Sequence, residues 1–171
     1  MNRQAEVNGV SELVMDRTIL ISIDIITALA LIRLTSKDKL REATIIFLFK
    51  QTMTWSFGLL VVEWGLIEYP IREFVKANAT SFSFEYFIYP ALCVIFNLHY
   101  PTGAKWKKWA WFLAFPTAMT ILEVEIERNT ELIHYVHWNW CYTWVTLLTT
   151  YFMSRVYFLW VYRHSGKGYS W

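Results

Sequence analysis

The chain predicts an all-α fold: a polytopic membrane helical bundle of five transmembrane helices, N-terminus outside and C-terminus cytoplasmic. Three observations predict it. Apolar residues gather in five long stretches, at about 18–34, 43–67, 84–100, 109–126 and 140–162. Each is long enough to cross a hydrocarbon layer of ~30 Å as a helix. Composition agrees: 56% of the residues are hydrophobic, 19% aromatic and 18% charged, where a soluble domain would carry about 25% charged residues. Finally, Trp64, Trp106, Trp109, Trp138 and Trp140 stand near the ends of the stretches, where an indole can meet both tails and headgroups. Trp55, Trp144 and Trp160 fall deeper and read as packing residues.

The chain divides into a polar N-terminal segment (1–17), a single five-span membrane domain (18–163) and a short cytoplasmic tail (164–171). In the first segment, Ser11-Glu12 before an apolar run can cap a short amphipathic lead-in to span one. No short apolar core with a small-residue cleavage site precedes 18–34, so that stretch reads as a retained span. Span two ends at Tyr69-Pro70, because proline offers no N–H to a preceding turn. Span three carries Pro90 in its first turns and ends at Tyr100-Pro101-Thr102-Gly103. Span four contains Pro116, which predicts a kink. Asn129-Thr130-Glu131 separates it from a short outer segment, 132–138, before span five.

Loop charge sets the threading. Arg33, Lys37, Lys39 and Arg41 follow span one; Lys105, Lys107 and Lys108 follow span three; Arg163 and Lys167 follow span five. The alternate segments hold Arg3, Arg17, Arg72, Lys76 and Arg128. The cation-rich segments belong on the cytoplasmic side. A net charge of +2, with the cations scattered between spans, excludes a nucleic-acid partner. Five spans leave no room for a soluble catalytic domain. Cys93 and Cys141 lie at different depths and read as small apolar fillers. Asn78-Ala79-Thr80 matches a glycosylation acceptor on the outer side, a triplet common by chance.

Charges within spans are costly in lipid and are the first functional candidates. Asp24 and Lys50 sit about 15 and 10 Å deep from the inner ends at helical rise. They could pair across the hairpin of spans one and two, fix its register, or handle a proton or cation; Lys50 could also snorkel. Arg155, near the inner end of span five, can snorkel to the headgroups. A second constellation is acidic and outer: Glu63, Glu68, Arg72, Glu123, Glu127, Arg128, Glu131, His134 and His137. Glu123, Glu127 and Glu131 recur every four residues and would form one polar stripe on a continuing helix. Such a set could be an interfacial rim paired with Arg72 and Arg128, a cation or proton site, or a polar binding cleft. No His-Glu-x-x-His pattern, Ser-His-Asp set or glycine-rich phosphate loop is present, so no catalytic residue, metal or cofactor is assigned.

Trp64–Arg72, Tyr89–Cys93, Glu127–Ile133 and Trp138-Asn139-Trp140 resemble a family of small multi-span membrane proteins of spore-forming bacilli and clostridia. The resemblance covers about residues 45–145 and implies a Gram-positive cytoplasmic membrane; it implies no reaction and no site residue. The five-span tryptophan-rich sensory protein family has a similar size, span number and orientation, though its motifs are not matched. The expected role is non-enzymatic: a ligand-binding or accessory subunit acting through the outer rim, partnered by the bilayer and by another subunit or further copies of itself. The alternatives are a small proton or cation conduit, and an intramembrane metal hydrolase built on Glu123, Glu127, His134 and His137.

Overall fold

A computed structural model describes the backbone of residues 3–163 and the side chains of Ser11 and residues 13–163. The expected tail, 164–171, lies outside the described residues. Five α-helices dominate: α1 (Arg3–Leu34), α2 (Leu40–Glu63), α3 (Tyr89–Leu98), α4 (Lys105–Asn129) and α5 (Trp140–Tyr162). A single 3-10 turn, Lys37–Lys39, links α1 to α2.

The segment ahead of residue 18 is no separate lead-in. It continues without a break into α1, so Ser11 lies inside a helix and not at a cap. Helix α2 stops at Glu63, earlier than the proline suggested. Gly65, at φ 63°, closes it: the Gly65 N–H bonds the Val62 carbonyl (2.9 Å) and the Leu66 N–H the Val61 carbonyl (3.0 Å). A residue with a Cβ resists that left-handed conformation, so the glycine rather than Pro70 is the stop signal. Helix α4 runs through Pro116, with Thr120 Oγ1 donating to the Pro116 carbonyl (2.8 Å).

Helix α3 is short and central. Nearly every residue from Ser83 to Leu98 is buried, with α1, α2 and α5 packed around it. Before α3 the chain takes one π-helical stretch, Ser83–Ile88, immediately ahead of Pro90. Proline has no N–H to contribute, and a wider turn is one way to accommodate that loss. The Glu73 carboxylate caps the segment, accepting from the Phe82 and Ser83 N–H groups (3.1 Å each).

One end of the bundle is closed by the two long connections. Ile67–Glu68 (β1) pairs antiparallel with His134–Tyr135 (β2), in register Ile67 with Tyr135 and Glu68 with His134. Ile71 N–H reaches the Glu131 carbonyl (3.2 Å), and Asp16 of α1 accepts from the Glu131 N–H (2.9 Å). Leu132 and Ile133 are buried beneath this cap. Thr80 is also fully buried and Asn78 half-buried, so the Asn78-Ala79-Thr80 triplet is no open acceptor.

Beside an apolar core that includes Ile46, Val94, Phe96 and Phe158, charged groups are buried and large apolar side chains stand exposed. Lys50 is 0% exposed, and Asp16, Glu42, Asn97 and Arg155 are buried, while Ile32 is 75% exposed and Ile21, Ile25, Ile26 and Leu29 stand open on α1. Among the described residues two helices are long and apolar enough to cross a membrane, α2 with its 3-10 lead and α4. At ~1.5 Å per residue they measure about 36–40 Å. Trp64, Trp106, Trp109 and Trp140 are exposed near helix ends, whereas Trp138, expected with them, is half-buried. Trp160, read as packing, is exposed instead.

Candidate functional site

Three helical segments turn small or polar residues inward at steps of four or seven residues. Helix α2 supplies Lys50, Thr54 and Gly58; the π stretch and α3 supply Glu85, Tyr89, Cys93 and Asn97; α5 supplies Thr143, Thr150 and Ser154. That spacing keeps residues on one helix face. The polar faces turn toward one another, because a buried polar group must find a partner inside the protein. At the capped end they enclose a cleft of about 370 Å³, walled by Phe57, Trp64, Leu66, Trp138, Leu147 and Met153 and containing Glu85 and Glu123.

Glu123 accepts three side-chain hydrogen bonds in the cleft. Tyr89 Oη donates to its Oε2 (2.7 Å), and Tyr135 Oη (2.7 Å) and Thr143 Oγ1 (2.8 Å) reach its Oε1. Trp138 Nε1 in turn donates to Thr143 Oγ1 (2.8 Å). Glu85 is served differently. Tyr69 Oη donates to its Oε1 at 3.2 Å, and its Oε2 receives no hydrogen bond from the described residues. Gly58 makes room for it: a Cβ there would lie 2.8 Å from Glu85 Cδ. Thr54 Oγ1 donates to the Glu85 carbonyl (2.5 Å), tying α2 to the π stretch.

Tyr69 and Tyr135 belong to the cap. Burial pushes both phenols well above their ordinary range, and the neighbouring charge of Glu85 on Tyr69 and of Glu123 on Tyr135 pushes the same way. Both therefore remain protonated donors through the physiological range.

The expected Asp24–Lys50 pair is not what the structure builds. Asp24 accepts from Ser83 Oγ (2.6 Å), whereas Lys50 Nζ donates to Thr150 Oγ1 and lies 4.8 Å from the Tyr151 ring centre. Helix α1 packs on α3 and the π stretch, which separates the two partners that hairpin adjacency suggested. Arg155 is not a snorkelling residue either; its guanidinium carbon lies buried, 4.0 Å from the Tyr100 ring centre.

The acidic stripe also disperses. Helix α4 ends at Asn129, so Glu131 leaves the line, and Glu63, Glu68, Glu131, His134, His137 and Arg128 are exposed. Arg72 donates to the Tyr69 (2.7 Å) and Asn78 (3.0 Å) carbonyls and holds the cap loop rather than a carboxylate. Glu127, half-buried, lies close enough to influence Tyr135. Of the nine residues, Glu123 alone lines the cleft. Among the described residues no three His, Cys, Asp or Glu side chains converge to hold a metal ion.

Glu85, Tyr69, Tyr89, Tyr135, Thr143 and Gly58 were not foreseen. Glu85 left a signal: it is the one acidic residue in the third apolar stretch, four residues before Tyr89. No family model, curated protein or solved structure matches this chain.

Proposed function

We propose that this is a five-span protein of the cell membrane, N-terminus outside, and a non-enzymatic binding component that receives a ligand in the cleft at its capped, outer end. The cleft itself carries the reading: a mostly apolar hollow with two buried carboxylates is the usual form of a small-ligand site. The membrane setting is supported by the buried charges and by the apolar faces that α1 and α5 also leave open, Ile25 and Leu29 on one, Phe152 and Val156 on the other. Orientation is supported by charge. The end opposite the cap gathers Arg33, Lys37, Lys39, Arg41, Lys105, Lys107 and Lys108. The resemblance to small membrane proteins of spore-forming bacilli and clostridia fits a Gram-positive cytoplasmic membrane.

The conduit reading draws on the polar row that continues past the cleft, where Ser154 Oγ accepts from Asn97 Nδ2 (3.1 Å) and contacts Cys93 Sγ (3.0 Å). Against it, the basic side chain of Lys50 is buried beside that row, and an ammonium there opposes passage of a cation.

Two measurements test the proposal. Cys141 is exposed at the capped end and Cys93 is buried, so an impermeant maleimide added to intact cells labels the wild type and not Cys141→Ser. Protection of Cys141 until the cells are opened overturns the orientation. Native mass spectrometry from mild detergent should show the chain carrying a small amphiphile that is lost on filling the cleft with Thr146→Trp. A chain equally loaded with and without that change overturns the cleft as the site.

A further inference from the structure

Resting on the reading of the cleft as a ligand site, we infer that it selects a cationic amphiphile, an amine or quaternary ammonium head on an apolar body, and that Glu85 recognises the charge. Glu85 is 8% exposed and lines the cleft with one carboxylate oxygen that no donor of the described residues reaches. A carboxyl oxygen without a donor in a mostly apolar cleft is poorly solvated, and a ligand that supplies positive charge or an N–H gives it a partner. Glu123 cannot play this part as readily, because hydroxyl donors already occupy both of its oxygens.

The lining of the cleft points the same way: it holds two acidic side chains, Glu85 and Glu123, and no lysine, arginine or histidine. Glu127 adds the same sign from the cap side. Arg72 is engaged by the loop carbonyls. An anionic head would meet two carboxylates and no reachable cation, since Lys50 is wholly buried and bonded to Thr150 behind the wall. The walls suit an ammonium: Phe57, Trp64, Tyr69 and Trp138 line the cleft with aromatic rings, a residue type that attracts a cation, and Leu147 and Met153 add apolar surface for the ligand body. Lys50 acts as the internal rival of the ligand, because it already supplies part of the positive charge that Glu85 needs.

The test uses the whole protein in nanodiscs of uncharged and zwitterionic lipid, titrated with octyltrimethylammonium, octanol or octyl sulfate, with tryptophan emission and thermal shift as readouts. Octyltrimethylammonium should bind roughly tenfold tighter than octanol, a difference of about 1.4 kcal/mol. Glu85→Gln should abolish that preference, and Glu63→Gln, at an exposed position outside the cleft, should leave it unchanged. Gly58→Ala keeps every charge but displaces the Glu85 carboxylate, and should weaken the cation selectively. Lys50→Gln should tighten cation binding by removing the rival charge, an effect that a merely structural lysine would not produce. Octanol or octyl sulfate bound as tightly as the cation overturns the inference while leaving the cleft as a ligand site. A preference surviving in folded Glu85→Gln and Gly58→Ala does the same. No response to any of the three probes overturns the cleft reading itself.

Discussion

Toward the capped end the bundle buries Glu85 and Glu123; toward the other it buries Lys50 and Arg155, with Glu42 near the start of α2. The acidic end is served by hydroxyl groups and adjoins a cleft. The basic end is covered mainly by rings: Lys50, whose one hydroxyl partner is Thr150, stands 4.8 Å from the Tyr151 centre, and Arg155 stands 4.0 Å from Tyr100 and 5.7 Å from Phe158. Both arrangements compensate a buried charge, but with different consequences. A ring face satisfies a cation by packing and leaves no space. Hydroxyl donors satisfy a carboxylate at fixed points and can leave one oxygen over, as at Glu85. One end is built for cohesion, the other for an occupant.

That contrast can be broken from either side. The largest effect is expected at the packed end. Arg155→Ala removes a buried side chain from between two rings and should cost about 3 kcal/mol, by analogy with large-to-small core changes. Thermal unfolding in a fixed detergent measures it, and a loss within experimental error would mean that the basic end is not cohesive. Gly58→Ala forces a Cβ to 2.8 Å from Glu85 Cδ and should cost about 1–3 kcal/mol, as overpacking does. A second conformation of Glu85 that absorbs the methyl group would remove most of this cost. Tyr135→Phe removes one donor from Glu123 and should cost about 1–2 kcal/mol by the same assay, less than Arg155→Ala because two donors remain.

A pH titration sharpens the comparison further. The phenols of Tyr69 and Tyr135 are raised in the folded protein, so the native state holds protons that the unfolded chain releases above about pH 10. Their contribution to stability is whole below that pH and is lost as pH rises beyond it. Melting temperature should therefore fall above pH 10, and the double change Tyr69→Phe, Tyr135→Phe should flatten the fall. The smallest effect belongs to the cap of α5. Asn139 Oδ1 accepts from the Cys141 (2.9 Å) and Tyr142 (3.2 Å) N–H groups, and Asn139→Ala should cost about 1 kcal/mol without altering ligand selectivity.

Much of the helical layout was legible, because helix-forming apolar stretches announce themselves locally. The stretches at 109–126 and 140–162 correspond to α4 and α5, each extended by a few residues or none. The error at the end of α2 was local too, since Gly65 stood in view before Pro70. The site was less legible. Glu123 was singled out, yet the i, i+4, i+8 rule carried Glu131 with it past the point where α4 stops. Glu85 was overlooked because a single acid at the head of an apolar stretch looks like a boundary residue; what makes it matter is the space Gly58 leaves for it, from another helix.

The amino-acid order alone determined that the chain is built of apolar helices, where tryptophan gathers, and on which end the loop cations lie, since each depends on neighbours along the chain. Tertiary structure alone decided which buried charges meet. Asp24 went to Ser83 and Lys50 to Thr150 because α3 occupies the centre and keeps α1 on its far side, a fact of packing order that hairpin spacing does not encode. The cleft likewise arises where cap, α2, α3, α4 and α5 converge, and four-residue spacing on any one of them specifies a face without specifying what faces it.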